Sequence, residues 1–196
     1  MSQSTRPQLA PPGAGLPALE HLVARVLFRL RRATGDRASF TARFRLEREK
    51  IGSLVRSCDA DCAARRVLIR RPPGLEDSSR DWSVWMTLDH LRIVHHELVR
   101  IIGELTNGRV PPGEASTAAV KPSPDVDRSV AAAYEDSCDA LLATAAAASD
   151  LNTALRFAHP WFGPLNAAGW YALAGGHMSI HRVQIERIKA GYLKLR

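Results

Sequence analysis

Nowhere in the 196 residues do apolar side chains continue for the roughly 18 positions that a membrane-spanning helix needs, so a bilayer-spanning protein is not expected. Cysteine is scarce. Three residues, an odd number, do not make a disulfide framework, and the expected setting is a reducing cytoplasm. Aromatic residues make up only 6% of the chain, and the basic segments are not expected to carry interleaved exposed aromatics. Met1–Gly15 lacks both the apolar centre of a signal peptide and the periodicity of a helix. It reads as a flexible tail, leaving residues 16–196 as one domain, a length that buries a single good core.

What is present is an ordinary globular composition, 45% hydrophobic and 24% charged. The net charge of +7 is uneven: residues 1–80 carry 16 Lys and Arg against 8 Asp and Glu, and the remainder 11 against 12. A basic half suggests nucleic acid, but Arg43, Arg45 and Arg48 alternate with Glu47 and Glu49 along one segment, with no reading motif. A solvated face accounts for them, and nucleic-acid binding is not expected.

Leu19, Leu22, Val23, Val26, Leu27 and Leu30 follow the i, i+3, i+4, i+7 spacing of an amphipathic helix, ended by Gly35. A second helix is predicted over residues 37–57, with Phe40, Phe44, Ile51, Leu54 and Val55 on one face. Cys58 and Cys62 near its end resemble half of a metal site, but no second pair follows, so no structural zinc is expected. Val67 to Arg71 reads as extended and Pro72-Pro73-Gly74 as a loop. A third helix, capped by Asp81 or Ser83, runs to about Leu105 and stops at Asn107-Gly108. Residues 109–127 hold four prolines and form a long crossover. A helix over about 126–149 carries Val130, Tyr134, Cys138, Leu141 and Ala145 inward. The loop His159-Pro160-Trp161-Phe162-Gly163-Pro164-Leu165 is a stiff lid, and Asn166 caps the last helix.

The last helix, residues 170–195, holds the chemistry. His177 and His181 lie four residues apart, about 400° of rotation, so both imidazoles leave one face one turn apart. Trp170, Leu173, Ile180, Ile185, Ile188 and Tyr192 flank that face, which therefore points inward. Two inward histidines are either hydrogen-bonded core residues or ligands of a metal that needs a third donor. His90, on the apolar stripe with Val94, Glu97 and Ile101, is the candidate. His95 and His96 are rotated away by more than 100° and read as surface residues. Glu97 is either an acid near the metal, the one candidate catalytic group, or a polar residue at the bundle edge. Gln184 either orients a ligand by a hydrogen bond or lies at a helix contact. Trp82, Trp85, Trp161, Phe162 and Trp170 are pocket-lining or simply core. Gly175-Gly176, beside His177, either opens room for a substrate or lets a neighbouring helix approach.

Trp82-Ser83, then Leu88-Asp89-His90-Leu91, the 159–165 loop and His177-x-x-x-His181-Arg182-x-Gln184-Ile185 occur in an order and spacing that resembles the DinB-like superfamily over roughly residues 37–195. The resemblance implies an all-α four-helix bundle with one long crossover, the first helix being an addition. It also implies a divalent metal, zinc or nickel foremost, held by His90, His177 and His181. Its further implications are a metal-dependent thiol transferase or hydrolase type of enzyme, a low-molecular-weight thiol as co-substrate, and a homodimer. The alternative is a non-catalytic helical bundle used for binding. Three neutral imidazoles leave a tetrahedral ion one open position, as a catalytic site requires. They suit zinc, nickel, copper and iron alike.

Overall fold

In the computed structural model, which describes residues 8–195, those residues form six α-helices, a single 3-10 turn at Asp77–Ser79 and two small two-stranded sheets. Helix α1 spans Ala18–Thr34, α2 Arg37–Arg56, α3 Ala60–Ala64, α4 Val84–Thr106, α5 Val130–Ala147 and α6 Ala167–Leu193. Strand β1 (Val67–Leu68) pairs antiparallel with β2 (Asp81–Trp82), and β3 (Phe157–His159) with β4 (Gly163–Leu165). Helices α2, α4, α5 and α6 form a four-helix bundle, with α4 packed against both α5 and α6 and α2 against α6. Its core includes Phe44, Ile51, Leu91, Ile101, Leu141, Met178 and Ile188, all fully buried or nearly so.

Local chemistry sets the helix starts. Asp36 accepts from the Ser39 backbone N–H while the Ser39 hydroxyl accepts from the Asp36 N–H, a reciprocal cap that starts α2. Ser83, not Asp81, caps α4 through the Met86 N–H, and Asn166 caps α6 through the Gly169 N–H. Asn107 ends α4, and Gly108 follows with φ of +73°, letting the Arg109 N–H turn back to the Glu104 carbonyl.

Helix α2 is bound to its neighbours by polar ties as well as by packing. Buried Glu47 accepts from Arg182 of α6 at 2.7 Å, and Arg48 reaches Glu135 and Asp139 of α5. Gly175 of α6 faces α2 closely: a Cβ there would lie 3.2 Å from the Phe44 backbone nitrogen.

Two expectations change. His95 is not on the surface; it is 1% exposed, because α5 covers the side of α4 turned away from α6. Its Nδ1 bonds Ser137 Oγ at 3.0 Å, and the Ser137 hydroxyl donates to the Tyr134 carbonyl. His96 is exposed, as expected. The loop at 157–165 is a β-hairpin, turning at Pro160–Phe162 and closed by Gly163 with φ of +73°.

Helix α1 forms where its periodicity predicts, yet none of its residues is buried. Its anchors are few. Glu20 accepts from Arg71 and from the Gly74 backbone, His21 Nε2 donates to the Trp161 carbonyl at 3.0 Å, and Phe28 packs on Phe162 with ring centres 4.6 Å apart. Residues 1–7 of the expected tail lie outside the described residues. Of its remainder, Ala10 donates its N–H to Asp77 and Gly13 to Glu76.

Candidate metal centre

His90 comes from the second turn of α4, and His177 and His181 from successive turns of α6, where these helices pack. Their ligand atoms all lie within 4.8 Å of one another, and they form the one such group of three among the described residues. His177 Nε2 is 3.1 Å from His90 Nε2 and 3.1 Å from His181 Nε2. Donors about 2.0–2.1 Å from a tetrahedral ion lie roughly 3.3 Å apart, so the spacing fits one ion touching all three.

The outer nitrogens decide which atoms point inward. His90 Nδ1 donates to the Val120 carbonyl at 2.6 Å, and His181 Nδ1 to Gln184 Oε1 at 2.6 Å. Gln184 is itself held by donating to the Ser79 carbonyl at 2.7 Å. With Nδ1 protonated, both neutral rings present the Nε2 lone pair to the common point. His177 Nε2 faces both of these lone pairs, and with its own proton on Nδ1 all three donors converge on one point that a single cation can satisfy, so the donor set fits a metal.

Burial pushes the His90 imidazole down to about 4 against the opposing pull of the Val120 bond. It holds His177 and His181 well below the ordinary histidine range, with His181 and His90 also disfavouring charge on His177, and His90 on His181. All three are neutral at pH 7, the form that ligates. Trp82 lies behind them rather than on the cavity wall. It is 4% exposed, stacks parallel to His181 at 6.2 Å and tilts against His90 at 5.2 Å, because the pairing of β2 with β1 turns it inward.

The three histidines open onto a cavity of about 820 Å³. Trp161, Phe162 and Trp170 line it, as does Phe28 of α1, so the hairpin and α1 together cover the centre. Trp85 is half-buried and takes no part in the wall. Glu97 lines the cavity, but both its carboxylate oxygens are engaged by Arg100, at 2.5 and 2.9 Å. The two glycines have separate roles: Gly175 admits α2, whereas Gly176 is part of the cavity wall.

His159 lines the same space and was legible in sequence only as part of a lid. Its Nδ1 accepts the Trp161 backbone N–H at 3.0 Å, which leaves the proton of the neutral ring on Nε2. Burial pushes it down to about 4, so at pH 7 it is a neutral hydrogen-bond donor. Its signal is the polar residue set among Pro160, Trp161 and Phe162.

The cysteines form no comparable centre. All three are free thiols. Cys58, half-buried beside Cys62, is pushed up to about 12 by burial and by its contact with that neighbour. No third donor joins them among the described residues.

A family model described as the DinB superfamily matches residues 43–185, most of the chain. No curated protein matches. Among solved structures the chain is similar to TT2238, described as a four-helix bundle protein, at 20% identity and a TM-score of 0.58. The alignment covers 77% of this chain and 98% of that one, and at such low identity the likeness concerns the fold.

Proposed function

We propose that this chain, which belongs to the DinB superfamily, is a divalent-metal-dependent enzyme acting on a small molecule in the cavity above His90, His177 and His181. The observation that carries this reading is the convergence of three neutral Nε2 atoms at the floor of a large, covered and mainly apolar space. A zinc or nickel ion held there supplies a Lewis-acidic centre that lowers the pKa of a thiol or water brought to it.

The protein's own groups do the rest. His90 and His181 are fixed in orientation and tautomer by Val120 and Gln184, so their donor atoms need no rearrangement. The Trp161 and Phe162 side chains and α1 limit access of bulk water to the cavity. His159 presents an N–H to an oxygen or sulfur of the reactant. Glu97, held by Arg100, is not assigned a proton-transfer role.

The reading favours thiol transfer or hydrolysis. It is tested with untagged protein loaded with zinc or nickel, given cysteine or a related small thiol and an aromatic chloride such as 1-chloro-2,4-dinitrobenzene, or a panel of activated esters. Metal-dependent turnover lost in His177→Ala is expected. No turnover with either metal against both panels counts against it.

A second reading, a non-catalytic binding protein, has one observation in its favour: the exposed apolar stripe of α1. The same stripe is the surface a homodimer would use, which sedimentation equilibrium tests. On this second reading, replacing all three histidines leaves the fold and any partner binding intact.

A further inference from the structure

We propose that Arg31 and Arg43 form an anion-binding pair on the cavity wall beside the histidines, which selects substrates carrying a carboxylate on an apolar body. The proposal rests on the cavity being the substrate site, and it adds the chemical class of what enters.

Five cationic side chains line the cavity: Arg31, Arg43, Arg92, Arg100 and Lys121. Three are neutralised locally. Arg92 pairs with Asp89 at 2.8 Å, Arg100 with Glu97 at 2.5 Å and Lys121 with Glu76 at 2.6 Å. Arg31 and Arg43 have no carboxylate partner among the described residues, although the protein pairs most of its other lining charges. Of the acids in the wall, Glu76 and Glu97 are thus already engaged, and Glu114 is exposed with no bond to either guanidinium.

The two side chains come from different helices and meet α6 at consecutive positions. Arg43 of α2 lays its stem over Gly175, where a Cβ would come within 3.0 Å of its Cγ. Arg31 of α1 brings Nη1 over Gly176, 3.3 Å from where a Cβ would stand. The next residue is His177. The glycine pair therefore brings the Arg43 stem and the Arg31 guanidinium against consecutive positions of α6, on the wall next to the histidine centre.

Their hydrogen-bonding capacity is largely unspent. Arg43 gives one bond, from Nη2 to Ser179 Oγ at 3.3 Å, and its Nε is buried with no partner. Arg31 makes no side-chain hydrogen bond among the described residues. Two like charges beside each other raise the energy of the site, and burial together with Arg43 makes it easier for Arg31 to lose its proton. A planar oxyanion accepting from both forks removes that cost and satisfies the open donors. The remaining wall, with Phe28, Phe162, Leu173 and Ile180, suits an apolar chain or ring extending from that oxyanion.

The test compares octanoate with octanamide, which share a shape and differ in charge, by isothermal titration against the full chain. Octanoate is expected to bind at least tenfold more tightly than octanamide. Arg31→Met and Arg43→Met keep the apolar stems, and each is expected to weaken octanoate several-fold while leaving octanamide unchanged. The double variant should bind the two alike, its octanamide affinity showing that fold and cavity persist. Equal binding by the wild type, failure of octanoate to bind at millimolar concentration, or a preference that survives the double substitution would overturn the assignment. Chelator-treated protein separates this from the metal reading. The preference is expected to persist without metal, and its disappearance on chelation would place the carboxylate at the histidines instead and overturn the arginine pair. A chain that binds no metal at all but keeps the preference would sink the proposed enzyme and leave the arginine pair standing.

Discussion

Helices α1 and α6 relate pattern to burial in opposite ways. α1 has a clean apolar repeat, yet Leu19, Leu22, Leu27 and Leu30 are all more than half exposed. α6 is interrupted by a glycine pair, two histidines and a glutamine, yet Trp170, Met178, His181, Gln184 and Ile188 are all buried. A helix wedged between α2 and α4 needs small residues where backbones approach and satisfied polar groups where it carries chemistry. A helix laid over a cavity mouth needs only a few anchors. Periodicity says that a helix forms; which neighbours reach it decides whether its stripe is covered.

The sharpest consequence concerns stability. Trp170→Ala removes a buried aromatic ring and its N–H bond to the Phe157 carbonyl, and is expected to cost about 3–5 kcal/mol by urea denaturation. A loss below 1 kcal/mol would mean that α6 is not the central element. Gln184→Ala comes next. It leaves the His181 Nδ1–H and the Ser79 carbonyl without partners, at about 1–3 kcal/mol, and lowers metal affinity by roughly 10–100-fold. Zinc titration of folded variant checks the second effect, and unchanged affinity would demote Gln184 to a packing residue.

On α1 the effects are smaller and local. Glu20→Gln weakens a partly exposed ion pair with Arg71, worth about 0.5–1 kcal/mol, and should speed amide exchange in α1 while leaving α6 untouched. The pH dependence has a definite sign. The Arg71 hydrogen bond, against a smaller effect of burial, holds the Glu20 carboxyl below its ordinary value. Its contribution is therefore complete above about pH 4.3 and is lost as pH falls through the lowered folded value. Protection factors in α1, corrected for the intrinsic exchange rate at each pH, should fall in that acid range in the wild type and lose that component in Glu20→Gln. Smallest of all, Leu22→Ser and Leu30→Ser are expected to change monomer stability by no more than about 0.5 kcal/mol. A cost above 1 kcal/mol that depends on protein concentration would show the stripe covered by a second copy.

Much of this architecture was readable from local rules. Ser83 and Asn166 cap helices because an oxygen at that position can reach free backbone N–H groups, and the His177–His181 spacing puts both rings on one face whatever surrounds them. The bundle and its added first helix were likewise expected, and the DinB superfamily match and the likeness to a four-helix bundle agree with that fold. What local rules missed is set by distant neighbours. His95 reads as external because it is rotated away from the stripe that faces α6, whereas α5 closes the other side of α4. The bond from His90 to Val120 depends on how the crossover folds back, thirty residues on. The target of Gln184, Ser79, lies more than a hundred residues away in the chain. Arg43 reads in sequence as part of a solvated basic face, and only the absence of a carboxylate partner among the described residues around the cavity sets it and Arg31 apart.

Cobalt(II) substitution tests the histidine centre most directly, because its visible absorption reports coordination number and its near-ultraviolet region reports sulfur ligation. One equivalent per chain is expected to give the intense bands of a four-coordinate ion, to gain a sulfur-to-cobalt band on adding a small thiol, and to be lost in His90→Ala, His177→Ala and His181→Ala alike. Failure to bind cobalt, a weak six-coordinate spectrum indifferent to thiol, or undiminished binding in the three variants would contradict it.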